Sequence, residues 1–140
     1  MISKTTEDLI SEIKTTTGIE LFLDSNKDEF FDVEIKNHLV KLLKGKGLKK
    51  SKVIEKSGLD SIYAYQIFSG LKNPSRDKVL QLAFGFKLSL DETSKLLKMS
   101  NVGELYPRNR RDSIIIFCIN KGMSFQDSNE LLYDLDEFIF

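Results

Sequence analysis

Proline occurs only at Pro74 and Pro107, and from Val33 to Met99 each run of helically spaced apolar residues is closed by a glycine or opened by a capping side chain. That punctuation leaves little except a set of short helices. Ile35, Leu39, Leu42 and Leu43 make an i, i+4, i+7, i+8 stripe that ends at Gly45 and Gly47. Lys49–Ser57 is a short helix carrying Val53 and Ile54, stopped by Gly58. Asp60 or Ser61 caps the next helix, which runs to Ser69 and stops at Gly70. Lys72-Asn73-Pro74-Ser75 is a loop, Ser75 caps a helix over about 76–86, and Ser89 caps one over Leu90–Met99.

The flanks are harder to read. Residues 5–14 predict an amphipathic helix capped by Thr6, with Leu9, Ile10 and Ile13 on one face. Gly18-Ile19-Glu20-Leu21-Phe22-Leu23 reads as a short strand or an extended arm, followed by turn material at Asp24-Ser25-Asn26. The tail predicts helices at about 109–121 and 124–137. They repeat the preceding pair under a shift of 35 residues, which aligns Arg76-Asp77 with Arg111-Asp112, Ser89 with Ser124, and Leu96-Leu97 with Leu131-Leu132. Identities are few, so coincidence is the competing account. A true repeat would stack its apolar face on the first copy. The terminal Phe138-Ile139-Phe140 must pack on this chain or on another. The expected fold class is all-α: an acidic extension over 1–32, a helical domain over 33–103 and a hairpin over 104–140.

Charge locates the interesting segment. The 140 residues carry no net charge, which by itself argues against a nucleic-acid partner. Yet residues 1–35 hold 3 Lys against 9 Asp+Glu, whereas residues 36–78 hold 11 Lys+Arg against 3 Asp+Glu. A basic segment of that density can meet phosphate whatever the whole-chain balance. One cysteine, Cys118, allows no internal disulfide, and a reducing, cytoplasmic setting follows as the expectation. Neither a secretion signal nor a membrane span is expected; the longest apolar run is Ile114–Ile119.

Within the basic segment, Leu48–Gly70 has the arrangement of a small helix, a glycine at the turn (Gly58) and a second helix. Ala64, Ile67, Phe68 and Leu71 should face the core, leaving Ser61, Ile62, Tyr63, Tyr65, Gln66 and Ser69 outward. Ile67-Phe68-Ser69-Gly70, then Leu71-Lys72-Asn73-Pro74-Ser75 and Val79-Leu80-Gln81-Leu82-Ala83, resembles the lambda-repressor-like (Cro/CI, Xre) helix-turn-helix family over about residues 33–99. Ile54 stands where that family commonly has alanine, Phe68 where it often has glutamate, and Asp60 puts an anion at the base-reading end.

The resemblance implies a five-helix DNA-binding domain that acts as a dimer on paired half-sites. It places Lys49, Lys50 and Lys52 on backbone phosphate at the start of the first motif helix, with Lys72, Asn73 and Arg76 on phosphate at the other side. Ser61, Tyr63, Tyr65 and Gln66 would read bases, Gln66 by pairing with adenine and the tyrosines through hydrogen bonds or a thymine methyl. The dimer contact is expected from the C-terminal hairpin, and a protein partner is the alternative use of that hairpin or of the acidic arm.

Plainer readings compete at each of these positions. A lysine run is often only a solvated face. Tyr63 and Tyr65, two apart on a helix, cannot share a face, so at least one must be accessible. Asp60 is better read as a cap than as a base reader, and Cys118 as core. His38 has no ligand set at metal spacing. Arg108, Arg110 and Arg111 flank a helix or form a second phosphate site. No catalytic constellation, phosphate loop or cofactor fingerprint is present, so neither an enzyme nor a cofactor is expected. The rival functions are a protein-interaction adaptor, favoured by the neutral net charge and by Asp60, and an antitoxin that represses its own promoter.

Overall fold

The computed structural model describes residues 4–30 and 34–140, which divide into two compact units, residues 1–32 and 33–140. Among the described residues are nine α-helices, one 3-10 turn and no strand. The expected domain start at Val33 lies outside the described residues. None of the described helices is long and apolar enough to cross a membrane.

The first unit holds α1 (Thr6–Thr15), α2 (Ile19–Ser25) and the 3-10 turn Lys27–Glu29. Thr5, not Thr6, caps α1: its hydroxyl accepts from the Asp8 N–H while the Asp8 carboxylate accepts from the Thr5 N–H. The segment read as a strand or arm is instead α2. Its last turn is held by Asn26, only 2% exposed, which donates to the Phe22 carbonyl (2.9 Å) and the Glu12 carboxylate (2.8 Å) and accepts from Lys4 Nζ (2.6 Å). Hydrogen bonding from Lys4, then from Asn26, holds the Glu12 carboxyl below its ordinary value. The stabilisation by this triad is therefore present above the ordinary carboxylate range and lost as the pH falls through the lowered value.

The second unit holds α3 (Ile35–Lys46), α4 (Lys50–Ser57), α5 (Ser61–Ser69), α6 (Arg76–Phe86), α7 (Leu90–Met99), α8 (Arg110–Lys121) and α9 (Phe125–Asp134). They share one core, which runs from Leu39 through Val53, Ile67, Leu80 and Leu96 to Ile115 and Leu132. Gly47, Gly58, Gly70 and Gly122 end α3, α4, α5 and α8 in the left-handed region, which explains why glycine marks these boundaries in the sequence. Gly45 lies inside α3 rather than ending it.

The α4–α6 crossing depends on Gly85. A Cβ there would fall 2.5 Å from the Val53 carbonyl oxygen and 3.0 Å from Ser57 Cβ. Alanine is the better helix former by about 1 kcal/mol, but the obstacle is backbone, which cannot swing aside. Overpacking should prevail, and Gly85→Ala is expected to cost a net of about 2 kcal/mol. Chemical denaturation checks this; an unchanged or raised midpoint would show that the helices do not pack this closely.

The 35-residue repeat extends to individual hydrogen bonds. Leu88 N donates to Ala83 O and Met123 N to Cys118 O, both at 3.0 Å. The Ser89 and Ser124 hydroxyls cap α7 and α9, and the Thr93 and Ser128 hydroxyls donate to the carbonyls of those two serines. Arg76 Nε donates to Gly103 O and its counterpart Arg111 Nε to Phe138 O, each at 2.8 Å. The copies do not simply stack head to tail. Arg76 grips Asp112 through two bonds (3.1 and 2.6 Å), and Arg111 grips Asp77 through two (3.0 and 3.1 Å). Each copy's arginine meets the other's aspartate, the reciprocity that a local two-fold produces.

That pairing decides the fate of the tail. Phe140 packs beside Phe84 and Phe125, each ring centroid 5.8 Å away, and lies under the Arg111 guanidinium. Phe138 points outward at 86% exposure. Cys118 is buried in α8, and burial raises its thiol above the ordinary value, as befits a core residue.

Candidate nucleic-acid interface

α4 and α5 are joined by the turn Gly58-Leu59-Asp60. The Ser57 hydroxyl braces the turn, donating to Ile54 O (2.6 Å) and accepting from Leu59 N (3.1 Å), and Leu59 is buried. From the other side the Phe125 ring presses on Gly58, where a Cβ would lie 2.2 Å from the ring at a φ of +72°. α9 thus buttresses the turn. Gly58→Ala should cost about 2–3 kcal/mol, of which the left-handed backbone accounts for roughly 1–2. In a Phe125→Ala background only the backbone part should remain. A double-mutant cycle by urea denaturation measures the difference, and strict additivity would exclude the buttress.

α4 opens without a side-chain cap: Lys49 occupies that position in an extended conformation and its carbonyl accepts from Lys52 N (3.0 Å), which leaves the Lys50 and Ser51 N–H groups to solvent or a ligand. Lys49, Lys50 and Lys52 are all exposed there. Lys52 lies 3.5 Å from Glu55, but both are so exposed that the pair holds neither in place. Lys50 Nζ lies 6.0 Å from the Tyr65 ring centroid and 5.5 Å from that of Phe68, which puts the start of α4 against the middle of α5.

On α5 the Asp60 carboxylate accepts from Tyr63 N (3.1 Å), so the anion serves as the helix cap. Ala64, Ile67 and Phe68 are buried as expected. Leu71 is not: it is 70% exposed, because the left-handed turn at Gly70 takes the chain off the helical spacing. Of the four residues expected to read bases, Ser61 and Tyr65 are exposed and Gln66 is half-buried. Tyr63 is half-buried against the core with Lys78 Nζ 6.0 Å from its ring centre, a packed residue more than a reader. Ile62, 70% exposed, lies outward as expected, but was not counted among the base readers. Its signal lay in the sequence, since it precedes Gln66 by one helical turn.

Beyond α5, Lys72 and Asn73 are exposed. Ser75 stands at the cap position just before α6 without making the expected capping bond. Arg76 is occupied: four of its guanidinium N–H bonds go to Gly103 O, Glu104 O and the two Asp112 oxygens. Its expected place on phosphate is taken by an internal role. Arg111 is drawn inward too, onto Asp77 and Phe138 O, whereas Arg110 stays exposed while bonding Leu135 O and Glu137. The arrangement offers lysine charge, free backbone N–H groups and a mixed apolar and amide face. Among the described residues no three His, Cys, Asp or Glu side chains are grouped so as to hold a metal.

No family model, no curated protein and no solved structure matches this chain.

Proposed function

We propose that this protein is a sequence-specific duplex-DNA-binding regulator of the repressor kind, built on a lambda-repressor-like arrangement of α3–α7. α5 enters the major groove and α4 lies across the backbone, its lysines and first-turn N–H groups on phosphate. The observation that carries this reading is the uncapped, lysine-bearing start of α4 lying beside the exposed face of α5, with Lys50 over Tyr65. Lys49, Lys50, Lys52 and Lys72 supply phosphate charge, Asn73 a neutral phosphate contact, and Ser61, Tyr65 and Gln66 the base-edge contacts. The protein acts as a dimer on paired half-sites, joined through the exposed Phe138 and Ile139. Light scattering tests the dimer: Phe138→Ser with Ile139→Ser should give a monomer, and an unchanged dimer would sink that contact. Cutting away 104–140 is no substitute, because Ile115, Cys118 and Leu132 belong to the shared core.

A protein-binding adaptor is the second reading, favoured by the exposed apolar residues Ile62, Tyr65 and Leu71. Electrophoretic mobility shift with genomic fragments at low salt separates the two. A shift lost in Lys50→Glu supports DNA binding; no shift at any protein concentration supports the adaptor.

A further inference from the structure

We infer that the duplex selected by this surface is A·T-rich, with Ile62 reading thymine methyl groups. This rests on the DNA-binding reading above and specifies its substrate. Guanine is usually read by Arg or Lys on its N7 and O6, and cytosine by a carboxylate on its amino group. α5 contains neither Arg nor Lys from Ser61 to Ser69. The one carboxylate at its reading end, Asp60, is engaged by the Tyr63 N–H. Arg76 is held by Asp112 and two backbone carbonyls. Lys50 lies over the Tyr65 and Phe68 rings at the start of α4, where phosphate is met.

What α5 presents outward is Ser61 and, beside it, one stripe. Ile62, Tyr65, Gln66 and Ser69 stand at i, i+3, i+4 and i+7, neighbours on one helix face. Ile62 lies in the first turn, the part of such a helix that meets base edges, and is 70% exposed. An isoleucine offers no hydrogen bond, and the thymine C5-methyl is the apolar group that the major groove displays. One turn further on, the Gln66 amide matches the acceptor and donor of adenine. Both contacts favour A·T pairs, the serine and tyrosine hydroxyls serve either pair, and no Arg, Lys or free carboxylate on α5 favours G·C.

The full chain is first taken through selection from a random duplex library. The selected site is then remade with every thymine replaced by deoxyuridine, which removes the methyl groups and keeps the pairing. The expected result is an A·T-rich consensus, with the deoxyuridine site binding about fourfold more weakly per contacted methyl, the worth of burying one CH2-sized group. In Ile62→Ser, which alters only an exposed side chain, that penalty should shrink toward onefold. A consensus built on G·C pairs overturns the inference and leaves DNA binding standing, as does an equal deoxyuridine penalty in both proteins. No enrichment and no salt-sensitive binding at all overturns the DNA reading, and this inference with it.

Discussion

Replacing Lys49, Lys50 and Lys52 together by glutamate is expected to lower duplex-DNA affinity by roughly three orders of magnitude at about 0.1 M salt. Each phosphate neutralised releases about 0.9 of a counterion, worth close to a factor of ten at that salt, and charge reversal adds repulsion. The three side chains are exposed, and the Lys52–Glu55 pair contributes nothing measurable, so the melting temperature should hardly move. Fluorescence anisotropy with a labelled duplex measures the loss, and circular dichroism confirms the fold. Arg76→Ala should behave in the opposite way. It removes four internal hydrogen bonds, lowers stability and leaves the salt dependence of the folded fraction unchanged. A protein in which Arg76→Ala weakens binding as much as the lysine reversals, with no loss of stability, would restore Arg76 to the phosphate surface.

Asp112→Ala is expected to cost about 3 kcal/mol. The carboxylate is 6% exposed, accepts both Arg76 bonds and also accepts from Tyr106 N (2.9 Å). Removing it strands a partly buried guanidinium and an N–H group, the situation in which deleting one member of a buried pair costs most. Its counterpart Asp77 makes the same two-bond contact to Arg111, yet its side chain is 40% exposed. There water can replace the lost partner, and Asp77→Ala should cost about 1 kcal/mol or less. Urea denaturation of the two variants tests this directly. Equal costs would mean that burial does not govern the reciprocal pair.

Helix boundaries were legible because they are chemically local. A glycine that accepts a left-handed φ ends α3, α4, α5 and α8, and a serine hydroxyl starts α7 and α9. The core face of α5 followed from spacing as far as Ser69. Three features were not local. α2 carries Ile19, Leu21, Phe22 and Leu23 over seven residues, too short for period to separate helix from strand, and its end is fixed by Lys4 and Glu12 on other segments. Leu71 left its predicted face because Gly70 turned the backbone, a rotation that apolar spacing does not encode. Arg76 was assigned from its place after α5, whereas its partners lie 27 to 36 residues further along. One clue was present: the repeated Arg-Asp pair at 76–77 and 111–112 is self-complementary in charge, as a reciprocal contact requires. On the candidate surface Lys49, Lys50, Lys52, Lys72, Tyr65 and Ile62 are exposed, while Tyr63 is half-buried and Arg76 is bound internally, which helical spacing alone does not reveal.

The most direct test is the affinity of the full chain for a duplex as a function of salt. Four lysines on phosphate give an expected slope of log K against log salt of about −3 to −4 per subunit, or roughly a hundredfold loss between about 50 and 200 mM. A slope of that size, flattened by the Lys49, Lys50 and Lys52 reversals, is the result this account predicts. Binding indifferent to salt, or no binding at the low end of that range, would contradict it.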